Sequence, residues 1–236
     1  MQRKNLDTYK RTKQIECCPV VVDMINYLFR LPFSHATNLF TFKKNIMKPA
    51  VFLDRDGTIN EQMGYINHLS RFQMLPGAVA AIKKLNNENI SVVVVTNQSG
   101  LARGYFPETV LSEVHQKMEK ELVEGGAHVD GIYICPHHPE AKEEKFRQKC
   151  HCRKPQKGLF LQAAQDLQID LSRSYVVGDR WSDLKAAARC MAKGILVLTG
   201  YGRGDYEYIG PTQEVQPHYV AQDLQDAVDW ILKDLG

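Results

Sequence analysis

Ala50-Val51-Phe52-Leu53-Asp54-Arg55-Asp56-Gly57-Thr58 is the stretch on which the reading of this chain turns. Four consecutive apolar residues suit a strand buried on both faces, as in a parallel sheet. The apolar run stops at an acid, and the second acid two residues on leaves the chain on the same side. Outward from this point the pattern recurs. Residues 90–95, nearly all β-branched, run into Thr96-Asn97-Gln98-Ser99-Gly100, and Tyr175-Val176-Val177 runs into Gly178-Asp179 with Asp183 close behind. Further strands are expected at 131–134 and 195–198. Helical spacing is expected at 76–86, 107–124, 158–167, 183–191 and 223–232.

Strands alternating with helices predict an α/β fold, a Rossmann-like parallel sheet sandwiched by helices. In such sheets ligands bind beyond the carboxyl ends of the strands. Each polar cluster named above falls there. The fold domain is expected to span 47–236. Residues 1–46 show no clear periodicity and read as an N-terminal extension, either an upstream start or a loosely docked arm.

Composition narrows the functional classes. The chain has 236 residues, 44% hydrophobic and 24% charged, and a formal net charge of +3. The excess is local: residues 1–46 carry 8 basic and 3 acidic side chains, the remainder 22 and 24. A slightly acidic main domain argues against a nucleic-acid or anionic-membrane partner. No uninterrupted apolar run reaches the roughly 18 residues of a membrane span. The best patch, 17–33, is broken by Asp23, Asn26 and Arg30 and is followed by no cleavage signal. A cytoplasmic location with reduced thiols is therefore expected.

The polar clusters share one chemistry. One carboxylate of an Asp-x-Asp pair can attack phosphorus. The other can give a proton to the leaving alkoxide and take one from water. Clustered carboxylates would repel each other and a phosphate, which calls for a divalent cation. Mg²⁺ suits a few carboxylates completed by water and phosphate oxygens. Thr96 offers a hydroxyl donor and Lys154 a point charge for the transferring group.

Taken together, the motifs resemble those of the haloacid dehalogenase-like phosphatases. Their DxDGT signature is similar to Asp54–Thr58, their second-motif hydroxyl to Thr96, their third-motif lysine to Lys154, and their fourth-motif acids to Asp179 and Asp183. The resemblance implies Asp54 as nucleophile and Asp56 as general acid/base. It implies Mg²⁺ held by Asp54, the backbone carbonyl of Asp56, and Asp179.

Cys135-Pro136-His137 and Cys150-His151-Cys152 supply two close pairs of soft ligands, suited to a tetrahedral structural Zn²⁺. His138 and His151 are neighbouring alternatives to His137, and spacing leaves the choice open. Cys190 reads as a core residue. A subgroup of the same family carries such a zinc loop, at 135–152 here, directly before its lysine motif and in place of a cap domain. Phosphatases of D-glycero-D-manno-heptose 1,7-bisphosphate and of histidinol phosphate both belong to it.

Stretches 60–66, 96–104 and 135–139 are similar to the heptose-acting members. That likeness implies substrate contacts from Arg55, Gln62, Met63, Gly64, Tyr65, Asn97, Gln98, Ser99, Arg153 and Arg180, with Arg153 on the second phosphate or the sugar hydroxyls. The implied product is heptose 1-phosphate, destined for nucleotide activation and cell-surface glycan. Histidinol phosphate is the alternative substrate, for which Glu61 and Tyr65 would be partners. A zinc-dependent binding module without catalysis is the alternative outside enzymology. By analogy a compact, capless enzyme acts as a monomer. The stretch 200–211 reads as a flexible glycine-rich loop. Arg103 could face the site or pair near Glu108, and His115 reads as a packing or surface residue.

Overall fold

A computed structural model describes residues 47–236. The expectation for residues 1–46 lies outside the described residues. Among the described residues no helix is long and apolar enough to cross a membrane.

Six strands build a wholly parallel sheet: β1 Ala50–Leu53, β2 Ser91–Asn97, β3 Gly131–Cys135, β4 Tyr175–Gly178, β5 Lys193–Val197 and β6 Tyr219–Ala221. Their order is β3-β2-β1-β4-β5-β6, so the chain moves outward from β1 in one direction, then returns to build the other half. The reversal lies between β1 and β4, where a doubly wound sheet leaves its ligand crevice. The register pairs Leu53 with Val177, and the Asp54 amide donates to the Val177 carbonyl at 2.9 Å. The residues after β1 and after β4 therefore emerge level with each other.

Period-two alternation sends the strand side chains to two cores. Val51, Leu53, Val92, Val94 and Val177 meet one cluster, and Ala50, Phe52, Val93, Val95 and Val176 meet the other. The first face is covered by α1 (Ala78–Asn87), α3 (Glu108–Glu124) and α7 (Leu224–Leu235). Each shows the expected apolar stripe: Ala78, Ala81, Ile82 and Leu85 in α1 lie at i, i+3, i+4 and i+7. The second face is covered by α4 (Gly158–Leu167) and α5 (Trp181–Arg189). A short α2 (Ser99–Ala102) follows β2 directly.

Two sequence expectations change. The sixth strand was not foreseen, because three residues at a sheet edge leave no measurable alternation. The stretch 200–211 is not a flexible loop. It winds as α6 (Gly202–Gly204), a π turn (Asp205–Ile209) and a 3-10 turn (Gly210–Thr212). Gly200 serves close approach: a Cβ there would stand 2.2 Å from Asp179 Oδ2 and 2.6 Å from the Cα of Gly57. Gly200 also has φ +55°, which strains any other L-residue.

Candidate active site

At the end of β1, Asp54 Oδ1 accepts the Arg55 amide at 2.8 Å and meets Lys154 Nζ at 2.9 Å. Its second oxygen, Oδ2, makes no hydrogen bond among the described residues. At the end of β4, Asp179 is fully buried and its Oδ2 accepts the Tyr201 amide at 2.8 Å. Asp179 Oδ1 is buried with no hydrogen-bond partner among the described residues. One turn into α5, Asp183 accepts the Arg180 amide and pairs with Lys154 Nζ at 2.7 Å. Asp54, Asp179 and Asp183 each offer an oxygen within 4.8 Å of the others.

This crowding shows in the acidities. Burial, and then the charges of Asp54 and Asp183, push Asp179 up to about 8. Burial also raises Asp183, to about 6, against the pull of Lys154. Three converging carboxylates, one with an orphaned buried oxygen, fit a hard divalent cation that would neutralise them. Lys154 shows the reverse balance. Burial would lower it, but Asp183 and Asp54 more than offset this and hold it above the usual lysine range.

Asp56 lies in a cage of donors. Arg55 Nη2 reaches both its oxygens, at 2.9 and 2.8 Å, while Asn60 Nδ2 donates at 3.0 Å and Gln98 Nε2 at 2.8 Å. Burial alone would raise its pKa. The Arg55 charge and the bonds from Asn60, Arg55 and Gln98 prevail and keep it below the usual carboxylate range. Gln98 also donates to the Thr96 hydroxyl at 2.9 Å, which ties the second motif to the first.

Several expected substrate contacts are placed differently. Arg55 is only 1% exposed, and its guanidinium is taken up by Asp56 and His115. Asn97 spends its amide on the Lys154 backbone, donating to the carbonyl at 3.2 Å and accepting the amide at 3.0 Å. Met63 packs its side chain on the core. Gln62 caps the Gly64 amide at 2.9 Å, and Tyr65 stands half-exposed, edge-on to Tyr105 at 4.7 Å between ring centroids. Ser99 opens α2 beside Gln98.

Arg180 extends from the α5 N-cap, 47% exposed, and Arg153 Nη1 lies 3.4 Å from the His137 carbonyl. Arg103 turns to His138 at 3.0 Å, whereas Glu108 pairs with Lys145. Asn60 and His115 were missed as members of the Asp56 network. The signal for His115 was its place on the apolar stripe of α3, between Leu111, Val114 and Met118.

The soft-ligand cluster is assembled by the end of β3 and the loop that follows. Cys135, Cys150 and Cys152 sulfurs lie 3.1 to 3.6 Å apart, and His137 Nδ1 stands 3.2 Å from Cys152 Sγ and 3.9 Å from Cys135 Sγ. Bonds of 2.3 Å in a tetrahedron give sulfur separations of about 3.8 Å, so the four donors fit Zn²⁺ with slight expansion. The cysteines are free thiols, not disulfides. Burial raises Cys150, and a hydrogen bond with Cys135, then burial, raises Cys152. Both would shed their protons to a metal. The geometry selects His137, and neither His138 nor His151 joins the cluster.

The cluster touches the acidic centre through backbone. The Cys135 carbonyl accepts the Gln98 amide at 2.8 Å, and Cys152 is two residues from Lys154.

Residues 151–227 match the family model described as HAD-hydrolase-like. The chain is 40% identical over 189 residues to the D-glycero-beta-D-manno-heptose-1,7-bisphosphate 7-phosphatase of Escherichia coli strain K12, covering 80% of this chain and 90% of that protein. The enzyme of the same name from Haemophilus ducreyi is 48% identical over 155 residues, covering 65% and 85%.

Among solved structures, D,D-heptose 1,7-bisphosphate phosphatase from B. bronchiseptica, complexed with magnesium and phosphate, superposes with TM-score 0.70 at 36% identity. It covers 80% of this chain and 99% of that one. The corresponding enzyme from Burkholderia thailandensis gives 0.58 at 29% identity, with 80% and 99% covered. On the motifs, the sheet and these likenesses, the chain belongs to the haloacid dehalogenase-like phosphatases, grouped with the heptose-bisphosphate phosphatases.

Proposed function

We propose that the protein hydrolyses the 7-phosphate of D-glycero-D-manno-heptose 1,7-bisphosphate through a phosphate ester formed on Asp54. The observation that carries the mechanism is the asymmetry of the Asp54 carboxylate: Oδ1 is held by Lys154 and a backbone amide, and Oδ2 is free to attack. The likeness to relatives that bear the heptose name supports the substrate.

Asp54 Oδ2 forms a bond to phosphorus as the bond to the sugar oxygen breaks. Asp56, protonated for that step, gives its proton to the departing alkoxide. It then takes a proton from the water that attacks the phosphorus of the Asp54 ester, freeing phosphate and restoring Asp54. The Arg55, Asn60 and Gln98 donors favour the ionised Asp56 that the second step requires. Lys154 and Thr96 stabilise the transferring oxygens. Mg²⁺, held by Asp54, Asp179 and the Asp56 carbonyl, would neutralise the carboxylates and the phosphoryl charge. Asp183 holds Lys154 beside them.

Arg153 and Arg180 reach toward the remote phosphate, and Gln62, Gly64, Tyr65, Gln98 and Ser99 border the sugar. Zn²⁺ on Cys135, His137, Cys150 and Cys152 is structural, since four protein ligands leave no open position. We place the reaction in the cytoplasm of a monomeric enzyme, its product entering nucleotide activation of heptose for cell-surface glycan.

Phosphate release from heptose 1,7-bisphosphate, histidinol phosphate and an aryl phosphate tests the reading. Turnover of the bisphosphate with a kcat/KM at least about a hundredfold above the others is expected. A preference for histidinol phosphate would overturn the assignment.

A further inference from the structure

The segment that read as a loose glycine-rich loop carries a buried acid aimed at one exposed arginine. Asp205 is 9% exposed, and its Oδ2 accepts both Arg180 Nε at 3.2 Å and the Trp181 amide at 3.0 Å. The Arg180 guanidinium carbon stands 4.5 Å from the centroid of the Tyr201 ring. Tyr201 is itself anchored, because its amide donates to Asp179 Oδ2. One end of the clamp is thus fixed to the carboxylate centre, and the Asp205 amide ties the other end to it by donating to the Tyr201 carbonyl at 2.9 Å. The two terminal nitrogens of Arg180 make no hydrogen bond among the described residues.

A long side chain bound at Nε and stacked on a ring has lost most of its rotamer freedom before any ligand arrives. Its free terminal edge presents two parallel N–H donors, the arrangement that meets a phosphate bidentately. We infer that Asp205 and Tyr201 are positioning residues that pre-organise Arg180 for the non-reacting phosphate of the substrate. The inference rests on the proposed bisphosphate reading. Pre-organisation lowers the ordering cost of binding, so its loss should fall on KM.

The test compares heptose 1,7-bisphosphate with heptose 7-phosphate, which lacks the second phosphate, in Asp205→Asn, Tyr201→Leu, Tyr201→Phe and Arg180→Met. Asn keeps an acceptor for the Trp181 amide while removing the charge. Asp205→Asn and Tyr201→Leu should each raise KM for the bisphosphate about five- to tenfold with kcat within about twofold. Tyr201→Phe, which keeps the ring, should restore the parental KM. In the Arg180→Met background the Asp205→Asn change should have no further effect on KM.

An equal fall in kcat for both substrates on Asp205→Asn would assign the residue to holding the fold and overturn the inference. So would a selective KM effect of Arg180→Met that neither Asp205→Asn nor Tyr201→Leu reproduces. If wild-type enzyme and Arg180→Met alike fail to distinguish the two substrates, the bisphosphate reading itself falls, and this inference with it.

Discussion

Arg55 Nη1 lies 3.0 Å from His115 Nε2, joining the loop after β1 to the middle of α3 across 60 residues of sequence. A guanidinium has only donors, so the ring nitrogen it meets must accept and the imidazole must be neutral. The acidities agree: burial, and then the Arg55 charge, hold His115 down to about 3. The nearby Asp56 charge opposes this without reversing it.

Acid stability should follow from this pair. In the unfolded chain the histidine titrates near 6.5, whereas in the fold it stays neutral until about 3. The unfolded state thus binds the extra proton between those limits. The contribution to stability is complete above about pH 6.5 and is lost as pH falls toward 3. His115→Gln, which keeps an acceptor without the titration, should flatten the fall of the urea midpoint between pH 6.5 and 4. An unchanged slope would show that another group governs acid sensitivity.

The two halves of the reaction should separate in Asp56→Asn. An aryl phosphate has a leaving group that needs no proton, so the first step survives and the second does not. One equivalent of phenol should appear in a burst, followed by turnover about 10²- to 10⁴-fold slower than wild type. Mass spectrometry should find the added phosphate on Asp54. Asp54→Asn should show neither burst nor turnover, and a burst in that variant would remove Asp54 from the nucleophile's role.

Gly200 should tolerate no side chain. A methyl at that position meets Asp179 Oδ2 and the Gly57 backbone at distances real Cβ atoms do not adopt, in a strained φ. Gly200→Ala should cost at least about 2 kcal/mol of stability and raise the Mg²⁺ concentration needed for activity. Gly204, whose Cβ direction is open, is the control. Gly204→Ala is expected to change stability by about 0.5 kcal/mol or less, read by the same denaturation curves.

Removing zinc should slacken the catalytic lysine rather than the sheet. One Zn²⁺ per chain is expected by elemental analysis. Cys152→Ser should release it, with a fall in thermal midpoint and a loss of activity that added Mg²⁺ does not rescue. Asn97→Ala, which frees the Lys154 backbone without touching the metal cluster, should lower kcat by about tenfold while zinc stays at one equivalent. Full activity in a zinc-free Cys152→Ser protein would separate the cluster from catalysis.

The parts of the site that sequence discloses are those written in consecutive residues. Apolar runs ending in acids located Asp54 and Asp179, and soft ligands in pairs located the cysteine cluster. Strand and helix bounds moved by a residue or two, as with β2, expected at 90–95 and found at Ser91–Asn97.

What stayed hidden depends on side-chain direction. Arg55 sits between two catalytic candidates, yet a guanidinium on a long stem can turn toward solvent or core, and only packing against α3 decides. Asn97 could have faced substrate or backbone. The 200–211 stretch looked loose because glycine signals both freedom and tight approach, and the partner it approaches, Asp179, is far away in sequence. His137 was separable from His138 only once the loop was folded, since adjacent residues in a loop carry no periodicity.

The Leu53–Val177 pairing reaches beyond assembly of the carboxylates. Under the proposed function, phosphoryl chemistry is seated on main-chain register at the carboxyl ends of β1 and β4, whereas the sugar is bordered by the turn at 62–65, where Gln62 caps the Gly64 amide. Exchanging 62–65 should retarget the enzyme to a different phosphomonoester while the reacting centre stays in place. Substrate range and reaction type are thereby free to diverge under selection as separate traits of one scaffold.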